Sequence, residues 1–157
     1  EQFTPNYMFA YFSRFHEIDD ELMVKRRNEL FSRFGVNTFA EVKIGELSTG
    51  MKQKVSLAVS LVHDPDIIIF DEPTTGLDVI TAKTVTDYLL ELKEKGKSII
   101  ISTHTMSLVT KLCDRVGIIF DGKMKICDSL DKILSLSDNN DLEEVFFKLY
   151  DETGGNL

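Results

Sequence analysis

Two adjacent acids stand at the end of a short apolar run, Ile67-Ile68-Ile69-Phe70-Asp71-Glu72-Pro73. The run is rich in β-branched residues and stopped by a proline. This predicts a strand buried on both faces, as in a parallel sheet, rather than a helix. Such a strand cannot hide two carboxylates, so Asp71 and Glu72 must emerge at its C-terminal end. In open α/β sheets that edge is where ligands bind. An aspartate there can hold a magnesium ion. The acid beside it can sit near an attacking water, and together they suit phosphoryl transfer.

Three other segments offer chemistry. In Gly45-Glu46-Leu47-Ser48-Thr49-Gly50-Met51-Lys52-Gln53-Lys54, a loop enters a helix. A helix N-terminus has unpaired N–H groups and a positive dipole end, so it can hold a phosphate. Ser48 adds a hydroxyl and Gly50 allows close backbone approach, although Ser48 as a plain helix cap fits equally well. In Thr74-Thr75-Gly76-Leu77-Asp78, Gly76 suits a tight turn and Asp78 a helix cap. Ser102-Thr103-His104 follows a second apolar strand. His104 is either structural or, on a sheet edge shared with Asp71 and Glu72, able to touch a terminal phosphate or the attacking water.

The elements that must position these residues alternate in type. Residues 6–34 read as helical, with Tyr7, Tyr11 and Phe15 four apart and Met23, Leu30, Phe31 and Phe34 as a second apolar face. Asp19 and Asp20 are start signals and Gly35 a stop. Thr38-Phe39-Ala40-Glu41 has the form of a capping box. Met51, Val55, Ala58, Val59 and Val62 predict a helix ending near His63-Asp64-Pro65. Val85, Leu89 and Leu92 predict one over about 79–95, closed by Gly96. Ser98-Ile99-Ile100-Ile101-Ser102 reads as a second buried strand. A helix near 105–114 follows, then a hairpin turning at Asp121-Gly122. Helices near 128–136 and 141–150 flank a surface loop over 135–141, and the tail from Gly154 to Leu157 reads as frayed. Helices followed by strand–helix–strand–helix–strand favour an α/β sheet with a helical lobe before it.

The 157 residues suffice for one domain with a real core, and a net charge of −8 argues against a general nucleic-acid binder. No apolar run approaches the roughly 18 residues of a membrane span. The opening Glu1-Gln2-Phe3-Thr4-Pro5 carries neither a signal-peptide pattern nor an initiator Met, so the chain is expected to begin mid-gene. Cys113 and Cys127 lack metal-type spacing and read as free thiols of a reducing cytosol.

Taken in order, these segments resemble the ATP-binding cassette (ABC) ATPases, from about residue 3 to residue 150. Leu47-Ser48-Thr49-Gly50-Met51 resembles the signature motif, usually L-S-G-G-Q. Ile67 to Pro73 resembles the Walker B strand with its catalytic glutamate. Thr75-Gly76-Leu77-Asp78 resembles the D-loop, and His104 the switch histidine. Asp114-Arg115-Val116 and Asp121-Gly122-Lys123 also resemble segments that follow that histidine. The resemblance implies a partial P-loop NTPase-like α/β fold: a helical signature lobe over about 3–48, an α/β core over about 49–127, and C-terminal helices over about 128–157. It implies ATP and Mg2+ as cofactors. Asp71 would hold the metal through its water shell, Glu72 would be general base or water polariser, and His104 would sense the γ-phosphate. Ser48, Thr49 and Gly50 would contact a nucleotide held by a second ABC subunit, and Asp78 would couple the two sites. The other partner would be a transmembrane permease, with the subunit at the cytoplasmic face of the membrane. The signature variant is similar to transporters exporting sodium ions, drugs or other solutes.

The sequence also departs from that pattern. No G-x-x-x-x-G-K-[ST] phosphate loop is present. The chain therefore reads as the C-terminal portion of a longer ATPase. Alone it is expected to bind ATP weakly, hydrolyse none measurably, and expose apolar sheet edge and core. Thr49 stands where the motif has Gly, and Met51 where it has Gln, so Met51 is assigned packing rather than phosphate contact. The competing functions are the signature half of an SMC-type chromosome ATPase, a translation-associated cassette protein, and a non-catalytic half-domain acting in trans. The first predicts sustained heptads before the signature, the second basic linkers, and neither pattern is visible.

Overall fold

The computed structural model describes residues 2–152. The chain divides into two compact units, Glu1–Ser102 and Thr103–Leu157.

The first unit opens with three helices. Thr4 caps α1 (Pro5–Phe15), its hydroxyl accepting from the N–H of Tyr7 at 3.2 Å. Asp19 caps α2 (Asp20–Phe34) through the N–H of Leu22 at 2.8 Å, and Gly35 ends it at φ 69°. Both signals act where the sequence places them. The four-spaced Tyr7, Tyr11 and Phe15 do not face the core, however, and all three are exposed. The helix buries Phe9 instead, edge-on to Phe31 with centroids 5.3 Å apart. The capping box at Thr38 does not form either. The left-handed turn at Gly35 leads directly into a 3-10 turn, Val36–Phe39, which buries Val36 and Phe39. The hydroxyl of Thr38 donates back to the carbonyl of Gly35 at 3.3 Å. α3 (Thr49–Ser60) buries Val55, Leu57, Ala58 and Val59 and packs on α1 and α2.

The sheet of this unit has two parallel strands, β1 (Ile67–Asp71) and β2 (Ser98–Ser102), in register from Ile67 opposite Ser98 to Asp71 opposite Ser102. The crossover is α4 (Val79–Glu94), which buries Val85, Leu89 and Leu92, with Gly96 at φ 84° beyond it. Arg33 on α2 stacks over the Tyr88 ring at 4.6 Å and pairs with Glu91 at 2.6 Å, tying α2 to α4.

The strands are not buried on both faces. Only Ile68 of the apolar run is buried, while Ile67 is 65% exposed, Ile69 73% and Ile100 59%. Alternate side chains point to opposite faces of a strand. Only one face is covered within the described residues, so every second isoleucine meets solvent. The apolar exposure seen here is thus that of a sheet face, whereas the expectation was of sheet edge and core.

The second unit holds α5 (Met106–Leu112), an antiparallel pair β3 (Arg115–Phe120) and β4 (Lys123–Ser129), then α6 (Leu130–Leu134) and α7 (Leu142–Asp151). The hairpin turns at Asp121 (φ 48°) and Gly122 (φ 72°), as a two-residue turn with both central φ angles positive requires. Val116, Ile118 and Phe120 alternate inward and pack with Ile133, Leu142 and Val145. β4 runs to Ser129, so the helix expected from 128 starts later. Ser137, expected in a surface loop, is buried, and its hydroxyl accepts from the N–H of Asp141 at 2.8 Å. The tail from Gly154 lies outside the described residues. Among those described, no helix is long and apolar enough to cross a membrane.

Candidate active site

Asp71 is the last residue of β1 and is exposed. Its carboxylate accepts a hydrogen bond from the hydroxyl of Ser102, its register partner on β2. The ladder continues one residue further, the N–H of Glu72 donating to the carbonyl of Ser102 at 2.9 Å. Glu72 then turns sharply, at φ 47°. A left-handed backbone at a non-glycine residue costs on the order of 1 kcal/mol, and such strain concentrates at functional sites. The hydroxyl of Thr75 donates to Glu72 Oε2 at 3.0 Å, and the N–H of Thr75 to the Glu72 carbonyl at 3.2 Å. The two carboxylates thus diverge from the end of one strand, each held by a hydroxyl.

The turn after Glu72 meets the start of α3. A Cβ on Gly50 would lie 2.8 Å from the carbonyl oxygen of Gly76, so only glycine fits there. Gly76 itself has φ 77°, and a Cβ on it would meet the Thr49 methyl at 3.7 Å. The close approach that Gly50 allows is thus made to Gly76 of the same chain. Ser48 caps α3, its oxygen accepting from the N–H of Met51 at 3.3 Å. A serine hydroxyl both accepts and donates, so capping leaves its O–H for another acceptor.

Asp78 caps α4. Its carboxylate takes the Thr81 N–H at 2.9 Å and the Thr81 hydroxyl at 2.6 Å, and Lys54 of α3 lies 3.7 Å away. The Thr81 hydroxyl first, then its N–H, with Lys54 adding its charge, hold the Asp78 carboxyl down to about 2 from 3.8. Within the first unit, Ser48, Thr49 and Gly50 therefore stand at the start of α3, Asp71 and Glu72 at the end of β1 and Asp78 at the start of α4, with α3 locked to the segment between β1 and α4 by Gly50–Gly76 and Lys54–Asp78. His104 lies two residues past Ser102 and belongs to the second unit, in the exposed turn before α5.

Sequence reasoning missed four supporting residues: Ser102, Thr75, Thr81 and Lys54. Thr75 and Thr81 each stand three residues after the acid they bind, a spacing readable as a turn or cap. Ser102 and Lys54 have no local signal, because strand register and helix packing bring them in.

The fold defines the class first. The chain superposes on a solved structure titled "Structure of ATP binding subunit of ABC transporter" with TM-score 0.87 and 26% identity, over 95% of this chain and 63% of that one. The described residues thus form part of the ABC ATPase fold. Residues 5–75 match the ABC transporter family model. The chain is 35% identical over 146 residues to the ABC transporter ATP-binding protein NatA of Bacillus subtilis (strain 168), covering 93% of this chain and 59% of that protein. It is 37% identical over 101 residues to a fluoroquinolones export ATP-binding protein of Mycobacterium tuberculosis, covering 64% of this chain and 34% of that protein. It spans only part of each relative's length. In sequence and in fold the chain is similar to the ATP-binding proteins of ABC transporters.

Proposed function

We propose that the protein carrying this chain is the ATP-binding and ATP-hydrolysing subunit of a membrane exporter. It works as a dimer of ABC subunits at the cytoplasmic face of the membrane, driving solute through a separate transmembrane permease. The observation that carries this reading is the seating of Gly50 on Gly76, four residues past Glu72. It links the phosphate-facing end of α3 to the turn that leaves the acidic strand end.

In this reading the residues divide the work. Glu72, aimed by its turn and by Thr75, polarises the attacking water, and His104 senses the γ-phosphate. Ser48 donates its O–H, and Thr49 and Gly50 their N–H groups, to a nucleotide held by the partner subunit. Asp78 fixes the loop that crosses between the two subunits. Among the described residues no cluster of three or more His, Cys, Asp or Glu is placed to hold a metal ion. Asp71 fits magnesium as one carboxylate, acting through water, because that ion takes few protein ligands and completes its shell with water and phosphate oxygens. Bound magnesium supplies charge neutralisation on the phosphates. A groove of about 930 Å³ beside α1 and α3, lined by Phe3, Tyr7, Tyr11 and Phe12, supports the permease as the second partner. The export direction rests on the relatives' names.

The test uses the full-length protein. Glu72→Gln should lower ATP turnover by about 10²-fold or more, the usual worth of a general base, while bound ATP accumulates on the protein. Retained turnover removes Glu72 from the chemistry.

A further inference from the structure

His16 and His63 stack face to face, with ring centroids 3.9 Å apart and planes 7° from parallel. They come from different helices. His16 is the C-cap of α1, and His63 follows the end of α3. Each is held by a chain reversal, for the next residues, Glu17 (φ 56°) and Asp64 (φ 51°), are left-handed. The N–H of Ile18 donates to the carbonyl of Ser13 at 2.9 Å, and that of Asp64 to Leu61 at 3.1 Å. Both imidazoles line the aromatic groove, together with Tyr11, Phe12 and Lys52. Ring nitrogens hold their lone pairs in the ring plane. Two rings stacked in parallel cannot aim them at one metal ion, so the pair is not a chelate.

We propose that the His16–His63 stack is a proton-sensitive clasp: neutral, it ties the C-terminal ends of α1 and α3 together, and protonated, it parts and opens that side of the groove. The charges around His63 favour its neutral form. Arg26 on α2 reaches the carbonyl of Val62 at 2.9 Å and the Asp64 carboxylate at 3.9 Å. Lys97, just before β2, binds the other oxygen of Asp64 at 3.1 Å. Lys52 of α3 lines the groove, and Arg14 and Glu17 flank His16 on α1 and its turn. The one carboxylate next to His63, Asp64, is already shared by two cations and cannot fully offset a third. Both histidines keep exposed edges, but their stacked faces have lost water. That loss first, then the positive charge of His16 and Arg26, holds His63 below 6.5 against the pull of Asp64. A lowered folded value favours the neutral form. The clasp is therefore intact above 6.5 and is lost as pH falls through the lowered value.

The test is amide hydrogen exchange on the full-length protein at about pH 8 and about pH 5, each normalised to the intrinsic rate. Peptides spanning 13–18 and 61–66 should lose protection at the lower pH, while core peptides around Phe31 and Val85 keep theirs. His16→Gln should make protection at 61–66 independent of pH, and should raise the His63 titration followed by NMR. Should His16→Gln fail to fold, His63→Gln reads the same effect at 13–18. Equal protection at both pH values overturns the clasp, as does an undiminished pH response in either variant.

Discussion

Ser48 presents two readings that residue types alone leave equal, a helix cap and a phosphate donor. The geometry makes them compatible, since its oxygen accepts from the Met51 N–H and a hydroxyl can accept and donate at once. The roles separate by substitution. Ser48→Ala should cost about 1 kcal/mol, the usual worth of a cap. Ser48→Asp retains a capping oxygen and should unfold in urea close to the wild type. In full-length protein carrying Glu72→Gln, Ser48→Asp should nonetheless abolish ATP-induced dimerisation, because its charge would face the phosphate. Dimerisation at wild-type strength on size-exclusion chromatography would reduce Ser48 to a cap. Glu72 teaches the complementary lesson. Its acidity was legible, but its left-handed backbone was not, because φ at that residue is set by the ladder bond to Ser102 and by Thr75.

At the scale of elements, α4 starts from a carboxylate whose ionisation is part of the structure. Asp78 holds the helix N-terminus through Thr81, and its folded value of about 2 lies below 3.8. A depressed acid stabilises fully above its unfolded value and loses that contribution as pH falls through the folded one. Wild type should therefore exceed Asp78→Ala in urea midpoint at neutral pH, and the gap should shrink by about pH 3. A pH-independent gap would assign the effect to packing of α4 rather than to the ionised cap. Most elements were legible because their signals are local. Asp19 and Gly35 bound α2, Gly96 closes α4, and Asp121-Gly122 turns the hairpin. The capping box at Thr38 failed because burial of Val36 and Phe39 outweighs one exposed side-chain bond.

At the scale of the molecule, the apolar strand is the decisive case. Ile68 is buried and Ile69 points the other way, into solvent. Ile68→Ala should cost about 2–5 kcal/mol in chemical denaturation of the chain. Ile69→Ala should stay within about 0.5 kcal/mol. Full-length protein discriminates the two cases: an Ile69→Ala that costs stability there means that the face is covered, and one still neutral means that it stays open. The sequence by itself carried the order of motifs, the start and stop of α2 and the stop of α4, because caps, turns and acidic strand ends are written in neighbouring residues. Only the tertiary structure decided that Gly50 seats on Gly76, that Ser102 holds Asp71, that Lys54 faces Asp78, and that His16 stacks on His63. Those contacts join residues far apart in the chain, and only packing fixes which distant surfaces meet.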